Sequence, residues 1–154
     1  MDLSDLVSPE AVFGGLKVTS KKQALQELAA RAAAVTGVEE REIFEVLLER
    51  ERLGSTGVGD GVAIPHGKLK GLERLYGVFA RLDRPIPFDS IDDEPVDLVF
   101  VLLVPAEAGA EHLKALARVS RLFRSREMRE RLRAAEAPEA LYALLVEPQA
   151  SHAA

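Results

Sequence analysis

The stretch "GVAIPHG", residues 61–67, sets a histidine behind an apolar run and a proline, in a chain that has 3 histidines. Pro65 fixes its own φ and restricts Ile64, so His66 is delivered on stiff backbone. Gly67, lacking a Cβ, admits a close approach by another backbone or an anion. An imidazole with a pKa near about 6.5 is substantially neutral at neutral pH and is nucleophilic without a helper base. Attack on phosphorus gives a phosphohistidine, whose oxygens then require donors from helix ends, glycine turns or arginine. Arg50 stands just before the glycine-rich "GSTGVGDG" (54–61), and His112 lies in the first turn of a predicted helix, near its positive dipole end. A hydrogen-bonded structural role is the competing reading of His66. For His112 the competing role is capping or packing beside Leu113.

Other chemistries fit the residues poorly. "GVGDG" lacks the third spacing of a dinucleotide fingerprint, and its flanks are reversed. "GVAIPHGK" has one residue too many for a P-loop, Leu69 in place of the hydroxyl residue, and Pro65 where a backbone donor is needed. The acids from Asp89 to Asp97 do not have calcium-loop spacing. A zinc site built from His66, His112 and a carboxylate has no H-x-x-H or H-E-x-x-H spacing behind it. Ser55 in "GSTG" is not in a nucleophile elbow. Neither a metal nor a cofactor is expected.

The elements that must position His66 are those of one domain. The chain has 154 residues, 47% of them hydrophobic, no cysteine and a net charge of -5. That composition fits a globular protein of a reducing compartment and argues against nucleic acid as a partner. The acidic N-terminus is unlike a signal peptide, and no apolar run approaches a membrane span of roughly 20 residues, so no membrane insertion and a cytoplasmic location are expected. Residues 118–133 depart from the acidic balance, with seven arginines against two glutamates. They form either a solvated helical face with one or two ion pairs or a docking surface for an acidic partner.

Thr19 or Ser20 caps a helix over "KKQALQELAARAAAVTG" that Gly37 ends, and "EEREIFEVLLERERLG" makes a second, with Ile43, Val46, Leu47 and Leu53 inward. "VAIP" reads as a strand ending at His66, and "LYGVFARLD" (75–83) as another. "RPIPFDSIDDEP" reads as an exposed excursion. "VDLVFVLLVP" (96–105) is continuously apolar, which calls for helices on both faces of the sheet. A helix from Ala110 to Arg124 follows, with Leu113, Leu116, Ala117 and Phe123 inward; then come a shorter one through "REMRERLRAA" and one opened by Pro138. The reading is a single-domain α/β fold with a mixed sheet and helices on both faces; residues 1–147 form the domain and 148–154 a flexible tail that includes His152.

"RERLGSTGVGDGVAIPHGKL" (50–69) and "PVDLVFVLLVPAEAGAEHLKALARVSRLF" (95–123) resemble the IIA domain of the fructose and mannitol class of the phosphoenolpyruvate-dependent sugar phosphotransferase system, in particular its stand-alone nitrogen-regulatory branch. The resemblance runs from "LVSPEAVFGGL" to "ALYALL". It implies a roughly five-stranded mixed sheet flanked by helices, with His66 accepting phosphate from a histidine phosphocarrier protein, Arg50 and His112 around the phosphoryl group, and Ser55, Thr56 and the glycine loop as further phosphate-binding candidates. Asp60 departs from the family, in which asparagine is expected. The implied output is regulation of a target by phosphorylation state; the alternative is a sugar-specific component that passes phosphate to a IIB domain. The absence of a linker, a second phosphorylatable domain and a membrane segment favours the regulatory role.

Overall fold

The computed structural model describes residues 3–148, so the tail expected from 148 onward lies outside them apart from Pro148. The chain runs β1 (Val12–Leu16), α1 (Lys21–Thr36), α2 (Glu40–Arg52), β2 (Gly57–Gly59), β3 (Val62–Ala63), β4 (His66–Leu69), β5 (Tyr76–Ile86), β6 (Val96–Pro105), α3 (Ala110–Arg124), α4 (Arg126–Ala134) and α5 (Pro138–Leu145). Strand order is β1-β5-β6-β3-β2, with β4 also on β6. β1 is parallel to β5, β5 antiparallel to β6, β3 and β4 parallel to β6, and β2 antiparallel to β3. The sheet is therefore mixed, as expected, with six strand segments among the described residues.

β6 carries the centre. From Leu98 to Val104 every residue is fully buried, so its apolar run is covered on both faces. α1 begins where expected: Ser20 Oγ accepts the N–H of Gln23 at 3.1 Å, and Gln23 Oε1 accepts the N–H of Thr19 at 2.6 Å. Gly37, at φ 80°, ends it.

Three inward assignments need correction. Leu53 is 81% exposed, because α2 ends at Arg52 and the next residue leaves the helical period. Leu113 is 69% exposed, and Ala117 is exposed as well. The inward stripe of α3 is Ala115, Val119, Leu122 and Phe123, and residues two positions from Ala115 point roughly to the far side of a helix. The excursion after residue 83 is only partly exposed. β5 continues to Ile86, Pro85 is tolerated where the β5–β6 register shifts, and Phe88 is buried in the core.

The arginine-rich segment is engaged more fully than one or two ion pairs. Arg118 makes a two-armed contact with Asp5, Arg131 one with Glu147, and Arg133 Nε lies 3.0 Å from both oxygens of Asp97. Arg126 pairs with Glu130, and Arg129 donates to the Phe123 and Arg124 carbonyls at the end of α3. Exposed pairs contribute only about 0–1 kcal/mol each, so they orient the C-terminal helices more than they hold the fold together.

Candidate functional site

His66 does not stand beyond a strand end. β3 and β4 keep one register along β6, Val62↔Leu98 and Ala63↔Val99 before the break, His66↔Leu102 and Gly67↔Leu103 after it. They are one strand interrupted at Ile64–Pro65. Pro65 has no N–H, so the ladder lapses there, although its carbonyl still accepts from Leu102 N at 2.9 Å. Ile64 turns its N–H to Thr56 O at 2.9 Å. Its carbonyl is thereby left beside the next side chain but one.

That carbonyl fixes the imidazole. His66 Nδ1 lies 2.9 Å from Ile64 O, and a carbonyl only accepts, so Nδ1 holds the proton and Nε2 of the neutral ring keeps its lone pair. Strand alternation does the rest: Gly67 faces Val46 of α2, so His66 faces α3. There its ring meets that of His112, with centroids 5.6 Å apart and planes at 59°. His112 Nε2 is buried without a hydrogen-bond partner among the described residues.

Burial, more than any other influence, holds the half-buried His66 below the ordinary histidine pKa; the Arg50 charge pushes the same way, while the Ile64 hydrogen bond and the Glu51 charge oppose it. His112 is also lowered, by burial first, then by His66 and Lys68. Both rings are therefore neutral at neutral pH. Arg50, in the last turn of α2, donates to Gly54 O at 2.9 Å, close enough for its charge to act on His66.

Ser55 and Thr56 are placed differently. The Ser55 hydroxyl donates to Phe88 O at 2.7 Å and accepts from Gly57 N at 3.0 Å. The buried Thr56 hydroxyl donates to Glu51 Oε1 at 2.5 Å. Both hydroxyls thus hold the glycine loop together. Asp60, at φ 56°, points toward α4: its carbonyl accepts from Arg133 at 2.6 Å, and its carboxylate lies 4.0 Å from Arg129. Its charge is met by arginine instead of facing the imidazole.

Gly67 is needed for packing, since a Cβ there would overlap Val46 Cγ1. We expect Gly67→Ala to destabilise the chain by about 1–3 kcal/mol through overpacking. Val46→Ala in the same chain should recover most of the loss, as read by denaturant midpoints, because the Gly67 backbone angle is not of the left-handed kind.

Sequence reasoning missed Glu51. Its carboxylate is buried, accepts from Thr56 N at 2.9 Å, and meets Lys21 Nζ at 3.1 Å. Within "LLERERLG" nothing distinguishes it from solvent-facing acids except its place beside Arg50. Also missed was the exposure of four apolar side chains: Leu53 after α2, Val58 in β2, Ile91 beside Gly59, and Leu113, which follows His112 in α3.

A family model described as phosphoenolpyruvate-dependent sugar phosphotransferase system, EIIA 2, matches residues 5–147. The nitrogen regulatory protein of Bradyrhizobium diazoefficiens is 61% identical over 153 residues, 99% of this chain and 100% of that one. The PTS system fructose-specific EIIA component of Haloferax volcanii is 35% identical over 147 residues, covering 95% and 96% of the two chains. Among solved structures, the nitrogen regulatory protein IIA-Ntr from Neisseria meningitidis superposes with a TM-score of 0.87 at 36% identity, covering 92% of this chain and 97% of that one. No helix of the described residues is long and apolar enough to cross a membrane.

Proposed function

The chain belongs to the EIIA 2 family of the phosphoenolpyruvate-dependent sugar phosphotransferase system, and on that footing we propose that His66 accepts a phosphoryl group from a histidine phosphocarrier protein and that its phosphorylation state regulates a target protein. The observation that carries the reading is the Nδ1–Ile64 contact, which leaves the Nε2 lone pair as the nucleophile. The new P–N bond forms from that lone pair as the donor's P–N bond breaks. The donor imidazole, protonated on its other nitrogen, leaves neutral with the electron pair of the broken bond, and His66 keeps its Nδ1 proton. No general base is required. A loose, in-line transfer between two imidazoles asks chiefly for position and countercharge, the roles assigned to His112 and Arg50.

A protein donor has to dock around His66. Leu53, Val58, Ile91 and Leu113 are exposed apolar side chains, and we assign the donor's apolar contact to them. We place the chain in the cytoplasm, with residues 1–147 as the domain and the remainder as a tail. The 35% identity to a fructose-specific EIIA component supports a second reading, in which phosphate passes on to a IIB domain for sugar uptake; the higher identity to a nitrogen regulatory protein favours the first.

The test is incubation with phosphoenolpyruvate, the system's kinase and its histidine carrier. Acid-labile phosphate should reach one group per chain. Absence of uptake from every such carrier would exclude the reading, and onward transfer to a IIB domain would select the second.

A further inference from the structure

Glu51 is the single carboxylate buried among the described residues, and a continuous set of hydrogen bonds runs from it to the His66 ring. Lys21 Nζ, 3.1 Å away, supplies the countercharge that makes its burial tolerable. Oε2 accepts from Thr56 N at 2.9 Å and Oε1 from Thr56 Oγ1 at 2.5 Å, so residue 56 is held at two points. Thr56 O in turn accepts from Ile64 N at 2.9 Å. Ile64 O accepts from His66 Nδ1, again at 2.9 Å. The Gly61 and Pro65 carbonyls accept from Leu98 N and Leu102 N of β6 at 3.1 and 2.9 Å, so Ile64, whose backbone groups alternate to the other side, gives its N–H to Thr56 instead. On that side the Thr56 bond holds Ile64, whose carbonyl orients the imidazole, while Pro65 is anchored to β6 through Leu102 N.

We infer that Glu51 is a positioning residue for phosphoryl acceptance: through Thr56 and Ile64 it sets the angle and the tautomer of His66, so that Nε2 and not Nδ1 presents the lone pair. This rests on reading His66 as the acceptor. Glu51 makes no hydrogen bond to the imidazole; its charge also acts on the ring through space, but the tautomer is set by where it holds the Thr56 backbone. Misplacing a reacting group by about 1 Å can cost roughly a hundredfold in rate.

The test uses the full chain with phosphoramidate, a small P–N donor that needs no docking surface, together with ring 1H–15N correlations of His66. In the native chain above the histidine pKa, the correlations should report the Nδ1–H tautomer. Glu51→Gln keeps the shape but loses the charge and one acceptor. It should shift the ring toward a mixture of tautomers and slow phosphoryl uptake roughly tenfold or more. Thr56→Val leaves Glu51, Lys21 and the backbone N–H bond in place and removes only the hydroxyl arm, so it should move both readouts in the same direction by less. If Glu51→Gln does not fold, Thr56→Val decides alone. An unmoved tautomer in either folded variant overturns the inference, even if the rate falls, because Glu51 would then act only on stability. His66→Ala separates the two readings: if it takes up phosphate as the native chain does, the acceptor assignment fails. If it is silent while both variants keep the native rate and tautomer, only the role of Glu51 fails.

Discussion

His66→Ala is expected to abolish uptake of acid-labile phosphate from a phosphorylated histidine carrier, a loss of about a thousandfold or more, as for removal of a nucleophile that has no substitute. The other described imidazole does not replace it, because His112 Nε2 is buried. The fold should survive. The side chain is half-buried, and its removal costs chiefly the hydrogen bond to Ile64 O, about 1 kcal/mol. The measurement is phosphate per chain after exhaustive incubation, with the thermal midpoint as the control for folding. Stoichiometric uptake by the well-folded variant would move the acceptor to another residue and remove the basis of the proposed function.

His112→Ala should slow transfer roughly ten- to a hundredfold, toward the lower end for loss of a single donor that stabilises developing charge. In the free protein the His112 pKa lies below the ordinary histidine value, lowered by burial first and then by its interactions with His66 and Lys68. A phosphoryl dianion on His66 reverses the sign of that interaction. This raises the His112 pKa relative to the free protein, and in the protonated form its otherwise unpartnered Nε2 is a charge-assisted donor. The same substitution has a pH signature. Both histidines lie below 6.5 when folded, so between their folded values and 6.5 the unfolded chain binds more protons. Their contribution to stability is therefore complete above 6.5 and is lost as pH falls through the lowered folded values. Replacing His112 should flatten that acid-side loss, as read from denaturation midpoints on either side of 6.5. An unchanged transfer rate would leave His112 a packing residue beside the site.

Much of the fold could be read from local pattern. The apolar run 96–105 meant a strand covered on both faces, and it is β6. Ser20 and Gly37 marked the ends of α1 because capping and left-handed turns are chemistry of one or two residues. What pattern gave poorly was direction. Leu53 and Leu113 look inward by composition, yet one falls just past a helix end and the other lies opposite the inward stripe of α3. β4, "HGKL", has no apolar alternation to announce it; it exists because β6 offers a continuous ladder on which the chain can resume after Pro65.

The candidate site divides along the same line. The sequence by itself determined which groups are available: an imidazole on stiff backbone, an arginine before a glycine loop, a second histidine at a helix start, and neither cysteine nor a nucleotide loop. The tertiary structure alone decided how they face one another. It paired the two imidazoles across the sheet–α3 junction, turned the Ser55 and Thr56 hydroxyls inward to hold the loop, directed Asp60 to the arginines of α4, and buried Glu51 behind Thr56. The physical reason is range. Residue type and backbone stiffness act over a few neighbours in the chain, whereas the orientation of a side chain depends on partners many residues away, as Phe88 is from Ser55 and Lys21 from Glu51.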